Sequence, residues 1–168
     1  METLYTKRLV LRPFKTEDAQ AIYKNWTSDP RVAKYCTWYP HNSVEDTKMY
    51  VDMCMKKNYC WAITLKGSDE PVGAIDVVGV TDDGAAHIGY VLMQSQWGKG
   101  VMTEAAKTVI AELFAQGFKV VGACHHPDNP ASGRVMQKCG MTYVGNSMQN
   151  RKFDSEELCE VKIYEIQK

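Results

Sequence analysis

The sequence of 168 residues carries no net charge, because twenty Lys and Arg balance twenty Asp and Glu. It has no basic run of the kind that tracks a phosphate backbone, so nucleic acid is a poor partner. No uninterrupted apolar stretch approaches the roughly 18 residues that suggest a membrane-crossing helix. The amino terminus, Met1-Glu2-Thr3-Leu4-Tyr5-Thr6-Lys7-Arg8, lacks the long apolar core of a signal peptide. A soluble, cytoplasmic protein is the expectation, with no membrane partner. Repeats and low-complexity linkers are also missing, and the length suits one domain over residues 1–168. The six cysteines (Cys36, Cys54, Cys60, Cys124, Cys139, Cys159) contain no C-x-x-C pair. Adjacent strand residues point to opposite faces, so Cys124-His125-His126 does not gather a metal, and reduced thiols are expected.

What is present is a regular change of hydrophobic period. Arg8-Leu9-Val10-Leu11-Arg12 alternates like a half-buried strand and stops at Pro13. Thr16 is placed to cap a helix whose stripe is Ala19, Ile22, Tyr23 and Trp26, ending at Asp29-Pro30. Ser43 is placed to cap a second, with Thr47, Tyr50, Val51 and Cys54 on one face. Strands are predicted at 59–65, 72–80 and 86–92, the last two joined through Asp82-Asp83-Gly84. A helix follows at 102–114, a short buried strand at 120–124, a helix at about 130–139, and strands near 141–144 and 158–166. This is an α+β domain with about seven strands and about four helices.

The stretch Gln96-Trp97-Gly98-Lys99-Gly100-Val101-Met102-Thr103-Glu104-Ala105 lies between a strand and an amphipathic helix. Two glycines let backbone approach a ligand, and a helix start offers unpaired N–H groups at the positive end of its dipole, which suits a diphosphate. Neither G-x-x-x-x-G-K-[ST] nor G-x-G-x-x-G is present, so this is not a nucleotide loop of those kinds. About 25 residues on come Asp128-Asn129-Pro130-Ala131-Ser132 and then Lys138-Cys139-Gly140-Met141.

Together with Thr6-Lys7-Arg8-Leu9-Val10-Leu11-Arg12-Pro13-Phe14 and Ile88-Gly89-Tyr90-Val91-Leu92, these segments resemble the GNAT superfamily of acetyltransferases. The likeness is to its ribosomal-protein N-terminal (RimJ/RimL-type) branch and spans about residues 6–166. It implies an α/β/α sandwich-like domain whose mostly antiparallel sheet splays between the fourth and fifth strands. It also implies acetyl-CoA as cosubstrate and an amine acceptor. The backbone of Val91, Leu92 and Met93 would pair with the pantetheine arm, and Trp97, Gly98, Lys99, Gly100, Val101, Met102 and Thr103 would hold the diphosphate. Asn129 would bond the pantetheine and Ser132 would approach the thiol. Three positions depart from the superfamily's pattern: Trp97 stands where the motif has a polar residue, as is common in this branch, Met102 stands where it has a small one, and Met136 stands where many members carry a tyrosine acid. Ser132 is the substitute for that acid.

Amide formation from a thioester needs a neutral amine and a polarised carbonyl, and orientation alone can be worth roughly 7–11 kcal/mol. An α-amine with pKa near 8 is roughly one-tenth neutral at pH 7, whereas a lysine-like amine near 10.4 is neutral roughly once in a few thousand. His87 and Asp76, expected on one sheet face if the hairpin loop has two residues, are the candidate bases. By the resemblance, Tyr35, Trp38 and Tyr39, near His41, border the acceptor groove. The acceptor is then a peptide or protein N-terminal amine, with a small-molecule amine (polyamine, amino sugar, amino acid) as the alternative. A non-catalytic acyl-CoA-binding module is the reading from another class, and either a monomer or a homodimer fits.

Overall fold

The computed structural model describes residues 1–168 in full. Its elements run β1 Leu4–Tyr5, β2 Leu9–Arg12, α1 Asp18–Ile22, α2 Pro30–Ala33, α3 Val44–Met55, β3 Cys60–Leu65, β4 Pro71–Val80, β5 Ala86–Leu92, α4 Val101–Ala115, β6 Val120–His125, α5 Pro130–Lys138, β7 Thr142–Asn150 and β8 Leu158–Gln167. One sheet holds all eight strands in the order β1-β2-β3-β4-β5-β6-β8-β7. Every neighbouring pair is antiparallel except β5 with β6. The expected mixed sheet is therefore present, with the two-residue β1 added at its edge.

Each sheet face has its own apolar layer. On one side Val101, Met102, Ala105, Ala106, Val109, Ile110 and Leu113 of α4, with Met136 of α5, meet Leu9, Leu11, Ile75, Ala86, Ile88, Val121 and Ala123. On the other, Ala19 and Ile22 of α1, Trp26, Val32 of α2, and Val51 and Cys54 of α3 meet Cys60, Ala62 and Ala74. Strand alternation explains the division, because successive side chains of β3, β4 and β5 go to opposite faces.

Local chemistry sets the helix ends. Ser43 accepts from the Asp46 amide while the Asp46 carboxylate accepts from the Ser43 amide, a reciprocal capping box at α3. Thr16 does not cap α1: the flanking residue is Glu17, without a side-chain cap, and the helix widens into a π-turn over Tyr23–Thr27. Asp29-Pro30 ends that stretch and also starts α2, because the Asp29 carboxylate accepts from the Arg31 amide with Pro30 at the first helical position.

The β4–β5 loop spans residues 81–85, not two. Thr81 closes it, donating its amide to the Ala85 carbonyl (2.9 Å) and accepting the Ala85 amide on its hydroxyl (3.0 Å). A bulge between Val77 and Gly79 absorbs the extra residue and adds local twist. At this level β5 and β6 part: their ladder consists of Ala86 opposite Val121 and His87 opposite Gly122, and beyond these two pairs the strands diverge.

Candidate active site

The turn between β5 and α4 gathers backbone amides at the start of a helix. Gly98 and Gly100 both take left-handed backbone (φ 73°), a conformation that costs a side-chain-bearing residue and not glycine. Gly100 flanks α4, and the first helical bond runs from the Glu104 amide to its carbonyl (3.1 Å). The amides of Val101, Met102 and Thr103 consequently have no acceptor inside the helix, and they stand at its positive end. The Met102 side chain points into the core, 5% exposed, so it contributes an amide to the turn and cannot narrow the ligand space. The Trp97 indole donates to the Leu92 carbonyl (2.8 Å), fastening the turn to the end of β5.

Along β5 the Met93 amide donates to the Val72 carbonyl at 2.8 Å. By the alternation of an antiparallel ladder, Val91 also faces β4, while the amides of Tyr90 and Leu92 face the divergence from β6. The backbone edge presented to the gap is thus Tyr90 and Leu92. Of Val91, Leu92 and Met93, only Leu92 directs its amide there.

Across the gap stands the start of α5. Asn129 precedes its first turn, yet its side chain makes no capping bond and stays uncommitted. The Tyr90 hydroxyl lies 2.9 Å from the Ser132 hydroxyl and donates to the Ser132 carbonyl at 3.0 Å. Burial raises the Tyr90 phenol above its ordinary pKa, outweighing its bond to Ser132, so the group stays protonated. Met136, 1% exposed, is fixed in the core. A polar side chain there would face apolar neighbours, which leaves Ser132 with Tyr90 behind it as the hydroxyl pair at this end of the gap.

The other face of the sheet carries the candidate bases. Asp76 pairs with Gly89, and His87 is two residues before Gly89, so both share a face despite the longer hairpin loop. The His87 imidazole lies over Gly122: a Cβ built there would meet its Nε2 at 2.8 Å. Asp76 is committed to an ion pair with Lys57. Burial pushes its carboxyl above the usual carboxylate range, against the pull of that lysine. Glu165, opposite Gly122 on β8, is a second carboxylate on the His87 face, and only the strand register reveals it.

The aromatic loop after α2 reaches this region from above. Tyr35 stacks on His126, at the end of β6, with centroids 5.4 Å apart. Trp38 packs against the α1–α3 layer and edge-on to His41, and Tyr39, 55% exposed, lies against the Lys152 ammonium. Of the three expected acceptor residues, Tyr35 meets the end of β6 and Tyr39 turns outward. The loop is clamped by the β7–β8 tip, where Lys152 Nζ donates to the carbonyls of Ala33, Cys36 and Trp38 at 2.8–2.9 Å. The Phe153 amide adds a bond to the Thr37 carbonyl (2.8 Å). His126 stood out in the sequence only as part of a run that could suggest a metal, and Lys152, which belongs to no periodic pattern, gave no signal at all. No group of three or more His, Cys, Asp or Glu is arranged to hold a metal ion, and no helix is long and apolar enough to cross a membrane.

A splayed sheet, an amide-lined turn at a helix start and free backbone along one strand define an acyl-coenzyme A enzyme. Residues 8–142 match the acetyltransferase (GNAT) domain, and the chain belongs to that family. It is an N-acetyltransferase that uses acetyl-CoA as cosubstrate. It is 35% identical over 152 residues to the uncharacterized N-acetyltransferase p20 of Bacillus licheniformis, covering 86% of this chain and 85% of that one. A GNAT-family acetyltransferase from Bacillus anthracis superposes with a TM-score of 0.87 at 27% identity, covering 99% and 98% of the two chains. RimL, the ribosomal L7/L12 α-N-protein acetyltransferase solved with coenzyme A, shares the fold at TM-score 0.83 and 20% identity, covering 99% and 98%.

Proposed function

We propose that this N-acetyltransferase acts on the α-amine of a peptide or protein N-terminus, by direct attack of the amine on the thioester with both substrates bound. The observation that carries this reading is the state of the candidate bases. Asp76 is tied to Lys57, whereas the His87 imidazole makes no hydrogen bond within the chain and faces the same side. A weak base suits an α-amine, which is already partly neutral at pH 7, better than a lysine side chain. The RimJ/RimL-type sequence pattern and the α-N-protein activity in the name of RimL point the same way.

In this reading the amides of Val101, Met102 and Thr103 hold the diphosphate, and those of Tyr90 and Leu92 guide the pantetheine arm and polarise the carbonyl. Asn129 bonds the arm, and Ser132, placed by its contact with Tyr90, turns its O–H from that partner to supply a proton toward the departing thiolate. Tyr35 and His126 border the incoming amine. The test is thiol release from acetyl-CoA at pH 7 with three acceptors: short peptides with free N-termini, Nα-blocked lysine peptides, and spermidine. The expected order of kcat/KM puts the free N-termini first; faster turnover with the blocked lysine peptides or spermidine overturns the assignment.

A further inference from the structure

We propose that Arg8, which precedes β2 and lies 91 residues from the diphosphate turn in sequence, is a positioning residue of the coenzyme site. The inference rests on the reading above that the diphosphate lies at the amides of Val101, Met102 and Thr103. The Arg8 amide and Nε both donate to the Glu104 carboxylate, at 2.9 and 2.7 Å, and the Thr6 hydroxyl adds a third bond to it at 2.6 Å. With one end so anchored, Nη1 reaches the Lys99 carbonyl at 2.9 Å. Nη2 has no partner in the chain and lies 3.6 Å from where a Cβ on Gly100 would be. The side chain remains 47% exposed, so the charge is open to the turn's surroundings.

Two consequences follow from this geometry. The Lys99 carbonyl and the Gly100 amide belong to one planar trans peptide, in which C=O and N–H point in opposite directions. By holding the carbonyl on its own side, Arg8 aims the Gly100 amide to the other, in the same row as the α4 amides. The second consequence is electrostatic. Glu104, in the first turn of α4, would repel an incoming diphosphate; with Arg8 and Thr6 bound to it, its charge is compensated in place. A guanidinium is suited to both contacts at once, since its donors diverge in a fixed fork, whereas an ammonium is a point charge.

The test is calorimetric titration of the full-length wild type, Arg8→Ala and Arg8→Lys with coenzyme A and dephospho-coenzyme A. NMR shift titration with pantetheine, which lacks the diphosphate, completes it. Arg8→Ala is expected to weaken coenzyme A and dephospho-coenzyme A alike by roughly tenfold, the size of one charge-assisted bond, and to leave pantetheine unchanged. Arg8→Lys is expected to recover less than half of the loss on a logarithmic scale. Unchanged coenzyme A affinity in Arg8→Ala, an equal loss with pantetheine, or full rescue by lysine each overturns the proposal. A wild type that binds no coenzyme A removes the underlying site instead, which separates the two failures.

Discussion

Gly122→Ala tests whether the space over β6 exists to seat His87. Gly122 has no positive φ, so its backbone accepts alanine without strain, and the substitution acts through the new methyl alone. That methyl would lie 2.8 Å from His87 Nε2, closer than real Cβ carbons come, and 3.1 Å from Cδ2 and Cε1, tighter than most such contacts. The ring must rotate or the strands must separate where only two parallel pairs join them. Overpacking of this kind costs about 1–3 kcal/mol. In a His87→Ala background the obstacle is gone, and alanine for glycine then contributes about 0.4–1 kcal/mol by restricting the unfolded chain. The sign of the effect should therefore reverse between the two backgrounds, a coupling of about 1–4 kcal/mol readable in urea titrations. If His87 serves as base, Gly122→Ala also lowers the rate of thiol release, while adding it to His87→Ala lowers the rate no further. Equal destabilisation in both backgrounds, or wild-type turnover in Gly122→Ala, refutes the reasoning.

Three further outcomes are expected. Ser132→Ala should lower kcat by roughly 10²-fold or more; Tyr90→Phe should lower it less, and the double variant should match Ser132→Ala alone, because one hydroxyl acts through the other. Asp18→Ala removes the buried partner of the Arg12 guanidinium, held through two bonds of 2.8 Å with both side chains at most 7% exposed, and leaves it the exposed Asp69 at 2.6 Å; a loss at the lower end of about 3–5 kcal/mol should appear as a fall in Tm of roughly 6–12 °C. Burial holds the His41 pKa below its ordinary value, so the unfolded chain takes the proton first; this share of stability is present above pH ~6.5 and lost as pH falls through the folded value. Melting curves of His41→Gln between pH 7 and 5 should accordingly slope less than those of the wild type.

Much of the domain was legible because its signals are local. Ser43 and Asp46 mark a helix start by spacing alone, and the switch from period 2 in β5 to period 3.6 in α4 brackets the glycine turn. The missed elements are those too short for a period: the two residues of β1 and the four of α2, although Asp29-Pro30 is itself a cap followed by a first-turn proline. The π-turn after Ile22 leaves the same apolar stripe as an ordinary helix. The site divided along the same line. Glycines and helix start could be read directly, whereas the Tyr90–Ser132 contact joins positions 42 apart, and Lys152 reaches carbonyls 114 to 119 residues away. Which amides of β5 face the gap depends on register, and the register follows a bulge that no spacing announces.

The short seam between β5 and β6 also bears on how the molecule resists force and exchange. Five strands lie on one side and three on the other, and backbone continuity across the divide amounts to the pairs at Ala86 and His87. A bound pantetheine arm would act as a supplementary rung, so saturating coenzyme should slow deuterium uptake in Tyr90 and Leu92 and raise the unfolding temperature in proportion to the logarithm of its concentration. Loading the donor and tightening the scaffold would then be a single event, and an acceptor arriving afterwards would meet a stiffer wall than one arriving first.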